Sequence, residues 1–225
     1  MSLHVLPDLE QGSDRWHDQR RGIVTASVVG RLITPGTIKP ANNPESRSLT
    51  AQLAAERITG WTDPTYVSDD MLRGVEDEPR AVDAYERHRK VTVQRAGFMI
   101  RDDWGFQVGY SPDGLVGDDG LIECKSRRPK KHLATIVSGE VPPENMAQLQ
   151  CGLLVSGRAW IDYVSYCGGM PLWIKRVQPD PKWQEAIVAA GIAFEKAVGV
   201  MTATYEARTL GLPMTERIVE QEMVI

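Results

Sequence analysis

Apolar residues recur at helical spacing through the first third of the chain. Asp14–Arg20 reads as a short helix, followed by the segment Gly22-Ile23-Val24-Thr25-Ala26-Ser27, in which Thr25 is placed as the N-cap of a helix through Val28, Val29, Leu32 and Ile33. Thr34–Pro44 carries three prolines, a glycine and two asparagines, and reads as a mobile surface loop within one domain. From Ser48 to Ile58 the apolar positions Leu49, Leu53, Ala54 and Ile58 keep a helical period that stops at Gly60. A further helix runs from about Ser68 to Arg89, and Pro79 inside it is expected to start a new helix or to kink this one near Glu78.

The period then changes. Val91-Thr92-Val93, Phe98-Met99-Ile100, Phe106–Tyr110 and Leu121–Cys124 are short, β-rich and separated by Gly/Asp turns, the pattern of a strand meander. Helices are expected at about Lys131–Ser138 and Pro143–Val155, strands at Ala159–Tyr166 and Leu172–Val177, and a long closing helix at about Pro181–Leu210. Helices, strands, a helix and more strands predict an α/β sandwich around a mixed β-sheet. With 225 residues and no internal repeat, one domain is expected over 1–225, with its core at about 14–210 and a polar tail at 211–225.

Composition narrows the partners. No apolar run reaches the roughly 18 residues that a bilayer crossing needs, and Asp8 and Glu10 interrupt an N-terminus that lacks an apolar core. The expectation is a cytoplasmic protein without a membrane partner. Cys124, Cys151 and Cys167 are far apart and odd in number, which disfavours a disulfide framework or a four-cysteine metal site. The net charge of −4 disfavours nucleic-acid binding through bulk charge, so any DNA-binding cations must be concentrated on one surface.

One constellation carries chemistry. Ser111-Pro112-Asp113-Gly114 and Ile122-Glu123-Cys124-Lys125 flank a Gly/Asp-rich turn, and a hairpin of that length can set Asp113 beside Glu123. Glu123 and Lys125 are two residues apart and share a face of a strand. Two carboxylates and the backbone carbonyl of Cys124 suit Mg²⁺, which prefers oxygen ligands and keeps several waters. Such a site would lower the pKa of a bound water and offset charge on a phosphate, the chemistry of phosphodiester hydrolysis. Lys125 could orient or deprotonate the attacking water or stabilise the pentacovalent charge; the residues leave these roles open. The run Lys125–His132, with Arg127, Arg128, Lys130 and Lys131, is the densest positive cluster and a candidate DNA contact.

Pro-Asp, nine residues, then Glu-x-Lys is the signature of the PD-(D/E)XK nucleases. Over about Asp14 to Val177 the chain resembles the lambda-exonuclease, or YqaJ-type viral recombinase, family. The resemblance rests on Trp16-His17-x-x-Arg20, Gly22–Ser27, Gly74-x-x-x-Glu78, Ser111–Leu115, Glu123-x-Lys125 and Met146-Ala147-Gln148-x-Gln150. It implies a restriction-endonuclease-like core that digests linear duplex DNA from a 5′ end. Mononucleotides would be released and a 3′ overhang left for phage recombination by strand annealing. It further implies a ring-shaped homotrimer in a bacterial host's cytoplasm, a single-strand annealing protein as partner, and two Mg²⁺ per site, for which Mn²⁺ may substitute. Glu78, rather than its neighbour Glu76, would be an additional acidic ligand, Gln148 would lie near the metals, and Arg20 and Ser27 would bind the 5′-terminal phosphate. Met71 would be an apolar wedge between strands at the duplex end. Asn145 stands where the best-known member has a tyrosine.

Two other readings remain. A PD-(D/E)XK endonuclease of restriction or repair type would share the metal site, whereas a non-catalytic DNA-end-binding scaffold would be expected to lose one of Asp113, Glu123 and Lys125. The absence of a cysteine cluster disfavours a Cas4-like nuclease.

Overall fold

A strand buried on both faces is largely apolar on both, and the longest strands of this kind are Gly120–Ser126 and Trp160–Tyr166. In the computed structural model, which describes residues 2–64 and 67–218, these two form the centre of the main sheet. In chain order the strands are β1 (Leu3–Leu6), β2 (Val24–Thr25), β3 (Ile33–Thr34), β4 (Lys39–Pro40), β5 (Val93–Gln94), β6 (Phe98–Arg101), β7 (Val108–Tyr110), β8 (Gly114–Val116), β9 (Gly120–Ser126), β10 (Trp160–Tyr166) and β11 (Trp173–Val177). The helices are α1 (Asp14–Arg20), α2 (Pro44–Thr59), α3 (Asp69–Arg89), α4 (Pro129–Ser138), α5 (Pro143–Ser156) and α6 (Pro181–Thr209).

The expected mixed α/β arrangement is present, but the meander is split between two sheets. One has the order β1-β6-β7-β2 and the other β11-β10-β9-β8-β5. β9 and β10 are parallel, from Gly120 opposite Trp160 to Ser126 opposite Tyr166, and β2 runs parallel to β7. The chain crosses between sheets at Ser111-Pro112-Asp113, between the end of β7 and the start of β8. That crossing sets Asp113 beside β9.

The two faces of β9 define two layers of core. Leu121 packs with Tyr163, with Leu149 and Leu153 of α5, and with Ile187 and Phe194 of α6. Ile122 and Cys124 pack instead with Ala81 and Tyr85 of α3. Beneath this second layer Asp162, fully buried, accepts hydrogen bonds from the Tyr85 hydroxyl (2.9 Å) and the Arg176 guanidinium (2.8 and 3.0 Å), which pins α3 to β10. A buried carboxylate is tolerated because its oxygens are satisfied in this way.

Several elements differ from the sequence-based expectation. Thr25 caps no helix: it ends β2 opposite Gly109, and Val29–Leu32 is a single 3₁₀ turn whose N-cap, Val28, has no side-chain cap. The β-branched Val24 and Thr25 favour the extended backbone that they adopt in β2. The Thr34–Pro44 segment is structured. β3 and β4 form a hairpin lying against α6, and Asn43 caps α2 through the Ser46 amide (2.8 Å), so that helix begins at Pro44 rather than Ser48. α3 is one continuous helix through Pro79. Proline there deprives the Val75 carbonyl of its helical donor, and Val75 is exposed, so water can serve that carbonyl. α4 starts at Pro129, not Lys131. β1, paired with β6, was not expected, and β5 and β7 are shorter than their predicted runs.

α6 also corrects the membrane reading. An 18-residue window of this helix has mean hydropathy 1.6, so by length and composition it is long and apolar enough to cross a bilayer. Its face Trp183, Ala186, Ile187, Ala190, Phe194 and Val198 is buried against the rest of the fold. Beyond Leu210, residues 211–218 form no helix or strand, and the remainder of the predicted polar tail, 219–225, lies outside the described residues.

Candidate active site and DNA-end pocket

Glu123 lies on β9 in the register that points toward α5, and its carboxylate is buried. Oε1 accepts from Lys125 Nζ (2.7 Å) and from the Gln148 amide of α5. The buried Tyr110 hydroxyl at the end of β7 donates to Oε2 (3.4 Å). β8 pairs with β9 only as far as Ile122, so the next amide on that edge, that of Cys124, is available. It donates to Asp113 Oδ2 (2.6 Å), which holds Asp113 at the sheet edge. In an extended residue N–H and C=O leave the same edge of the strand, so the Cys124 carbonyl faces the side where Asp113 lies.

Electrostatics describe a site with surplus negative charge. Burial, and then the charges of Glu123 and Glu78, hold the Asp113 carboxyl well above its usual range. Glu78 on α3 is likewise raised, first by burial and then by Glu123, whereas Lys125 and Arg95 act in the opposite sense. Glu76 is exposed. Burial works against the Lys125 ammonium, but Glu123 and Asp113 outweigh it and raise its pKa, so Lys125 carries its charge at neutral pH. Asp113 and Glu78, whose ionisation burial and the Glu123 charge disfavour, form with Glu123 a donor set of hard oxygens around one lysine that suits a divalent cation with retained waters. Among the described residues no group of three or more His, Cys, Asp or Glu side chains is placed to hold a metal ion by side chains alone. The oxygens of Asp113, Glu123 and the Cys124 carbonyl, with Glu78 nearby, therefore fit a hydrated ion rather than a fully enclosed one.

A second cluster lies at the N-terminal end of the other sheet. Arg20, the last residue of α1, is largely buried, and its Nη2 donates to Thr25 Oγ1 (3.2 Å) and Ser27 Oγ (3.1 Å). These hydroxyls lie 3.1 Å from each other. The guanidinium stacks on the Trp16 ring at 4.0 Å. Burial lowers its pKa to about 10, which leaves it cationic at neutral pH. Among the described residues no carboxylate pairs with it. Trp16 Nε1 in turn donates to Ser111 Oγ (2.9 Å), two residues before Asp113, and so ties this cluster to the crossing that carries Asp113.

The remaining predicted contacts are spread around the exit of β9. Arg127 is anchored by Tyr163 (Nη2 to the hydroxyl, 2.8 Å) and by Asn145. Arg128 meets Asp70 (2.7 Å), which Arg73 also engages (2.7 Å). Lys130 and Lys131 are exposed on the first turn of α4. Met71 is exposed on the first turn of α3, beside exposed Leu72 and Val75. Nearby, Arg73 Nε reaches Ser126 Oγ (3.1 Å), directly after Lys125. Gln150 lies away from the carboxylates: it donates to the Gln178 carbonyl and accepts from the Asp180 amide, fixing the start of α6.

A sequence profile of the YqaJ-like viral recombinase domain matches residues 15–159, which span both clusters. The chain belongs to this family. As a YqaJ-like domain it is similar in structure to an alkaline exonuclease, LHK-Exo, from Laribacter hongkongensis, with 30% identity, TM-score 0.79, and coverage of 89% of this chain and 100% of that one. The same figures hold for LHK-Exo in complex with dAMP. A phage-related exonuclease from Haemophilus somnus 129PT, at 13% identity and TM-score 0.57, shares the fold over 80% of this chain and 96% of that one. No curated protein sequence matches. The PD-(D/E)XK-like core of this YqaJ-like domain is thereby shown.

The structure adds residues to the YqaJ-like site that the sequence reading passed over. Thr25, which the sequence pattern places as a helix cap, turns its hydroxyl to Arg20 instead. Ser111 was read only as part of the Pro-Asp motif, and Tyr110 as a strand residue. A hydroxyl at each end of β-rich Gly22–Ser27 and Val108–Tyr110 was a weak signal; only the parallel pairing of β2 with β7 brings the two segments together.

Proposed function

We propose that this protein is a Mg²⁺-dependent 5′→3′ exonuclease of linear duplex DNA that releases 5′-mononucleotides and leaves 3′ overhangs for strand annealing. The observation that carries this reading is the Trp16–Ser111 hydrogen bond, which couples a cationic, hydroxyl-lined pocket to the carboxylate site. A guanidinium with no carboxylate partner among the described residues, together with two hydroxyls, matches a terminal phosphate. LHK-Exo, the similar alkaline exonuclease, supports the reaction class.

Asp113, Glu123, the Cys124 carbonyl and Glu78 would hold Mg²⁺, for which Mn²⁺ may substitute, with two ions per site as the family resemblance implies. Bound there, the metal would activate water and stabilise charge on the scissile phosphate. Gln148 and Tyr110 fix the Glu123 carboxylate. Lys125, as an ammonium, orients the nucleophilic water and stabilises the developing negative charge. Arg20, Ser27 and Thr25 engage the 5′-phosphate. Arg127, Arg128, Lys130 and Lys131 follow the backbone, and Met71 separates the strands at the end.

The working form would be a homotrimeric ring acting with a single-strand annealing protein. Exposed Val200, Met201 and Tyr205 on α6 support an association surface. Product analysis tests the reaction: with Mg²⁺ and a duplex labelled at its 5′ end, the first labelled product should be a mononucleotide. A labelled oligonucleotide as first product would favour the endonuclease reading, and no product with any divalent metal would favour the scaffold.

A further inference from the structure

Gly22 is the hinge between Arg20 and the hydroxyls that Arg20 meets. It lies two residues after Arg20 and three before Thr25, and its φ of 69° is in the left-handed region. That conformation turns the chain from α1 into β2, so its accuracy decides where the guanidinium sits relative to Thr25 and Ser27.

Both polar groups of this one peptide residue are gripped by consecutive side chains of α2. The Gly22 amide donates to Glu56 Oε2 (2.8 Å), and the Gly22 carbonyl accepts from Arg57 Nε (2.5 Å). Glu56 is buried, at 6% exposure, and its other oxygen accepts from Gln52 (3.2 Å). The Arg57 fork is held by both oxygens of Glu195 on α6 at 2.7 Å each, and its guanidinium lies over the Phe194 ring at 5.3 Å. A side chain at Gly22 would place a Cβ 2.4 Å from Arg57 Cγ. Buried charges are costly unless fully bonded, so a buried carboxylate used on a single turn implies that the turn must be held closely.

We propose that Glu56 and Arg57 are positioning residues for the end pocket: they fix the Gly22 turn so that Arg20 meets a 5′-phosphate. The inference rests on the reading of Arg20, Thr25 and Ser27 as the phosphate pocket. A role confined to stability would weaken action on every substrate alike, whereas a positioning role acts on phosphate discrimination.

The test is the ratio of kcat/KM for linear duplex with 5′-phosphate ends to that with 5′-hydroxyl ends, in Mg²⁺, for the full chain. Glu56→Ala should lower this ratio about tenfold, the size of one lost charge-assisted hydrogen bond. Glu56→Gln, which keeps an oxygen for the Gly22 amide, should recover most of it. Gly22→Ala should also lower the ratio. If Glu56→Ala does not fold, Glu195→Gln, which loosens the Arg57 fork at the surface, decides in its place with an expected loss of about threefold. Arg20→Ala, measured alongside, separates the two levels. If Arg20→Ala loses discrimination while every folded variant of the clamp keeps it, the clamp is overturned and the pocket stands. If Arg20→Ala keeps full discrimination, the pocket reading falls and the clamp falls with it.

Discussion

The two clusters are opposite in charge and alike in construction. At the end of β9, Asp113, Glu123 and Glu78 lie around a single lysine, and burial works against the negative charge of Asp113 and Glu78. At the end of α1, one guanidinium faces two hydroxyls and the rings of Trp16 and Phe98. The first arrangement favours a cation and the second an anion. On the proposed function, a protein of net charge −4 engages DNA through local imbalance of charge rather than through its overall charge.

Mutations that remove one pole and spare the other should divide cutting from starting. Lys125→Ala should have the largest effect, a fall of about 10³-fold in single-turnover cleavage, with DNA affinity retained in a gel-shift assay; near-normal cleavage would remove the catalytic pole from the account. Arg20→Ala should lower the preference for 5′-phosphate ends by about 10²-fold, in line with loss of charge-assisted hydrogen bonds. Its cleavage of 5′-hydroxyl ends, compared in the same assay, should change far less. An equal loss on both ends would merge the two poles into one.

Two smaller changes address how the poles are held. Gln148→Ala removes the amide that holds Glu123 Oε1, and should lower kcat about tenfold on either kind of end. A change confined to KM would move Gln148 out of the carboxylate site. Trp16→Phe keeps a ring beneath Arg20 but deletes the donor to Ser111. It should cost about threefold in kcat/KM on phosphorylated ends, the value of roughly half a neutral hydrogen bond. No change there would mean that the coupling is carried by the backbone alone.

The carboxylate cluster is more legible in the sequence than the Arg20 cluster, for physical reasons. Asp113, Glu123 and Lys125 are held by a local hairpin, and period-two alternation on β9 already places Glu123 and Lys125 on one face. Gln148 and Glu78 come from distant helices and were named through family resemblance, not periodicity. Arg20 and Ser27 came from the same source, whereas Thr25 was lost to a helix-cap assignment because Thr before an apolar run resembles a cap. Ser111 reaches Trp16 only through a pairing between residues 95 apart. Elsewhere, Pro79 was expected to break α3, but an exposed turn can leave a carbonyl to water, which linear patterning does not register. The split of the meander into two sheets was likewise hidden, since short strands carry no label of the partner they choose.

The central claim, that cutting at Asp113, Glu123 and Lys125 begins from a terminal 5′-phosphate, is tested most directly by comparing two DNA forms of identical sequence. One is a linear duplex with a 5′-phosphate at one end only, and the other is covalently closed circular duplex. With Mg²⁺, strand loss should start at the phosphorylated 5′ end and leave the circle intact. Cleavage of the circle at a comparable rate, or digestion chiefly from 3′ ends, would contradict the account.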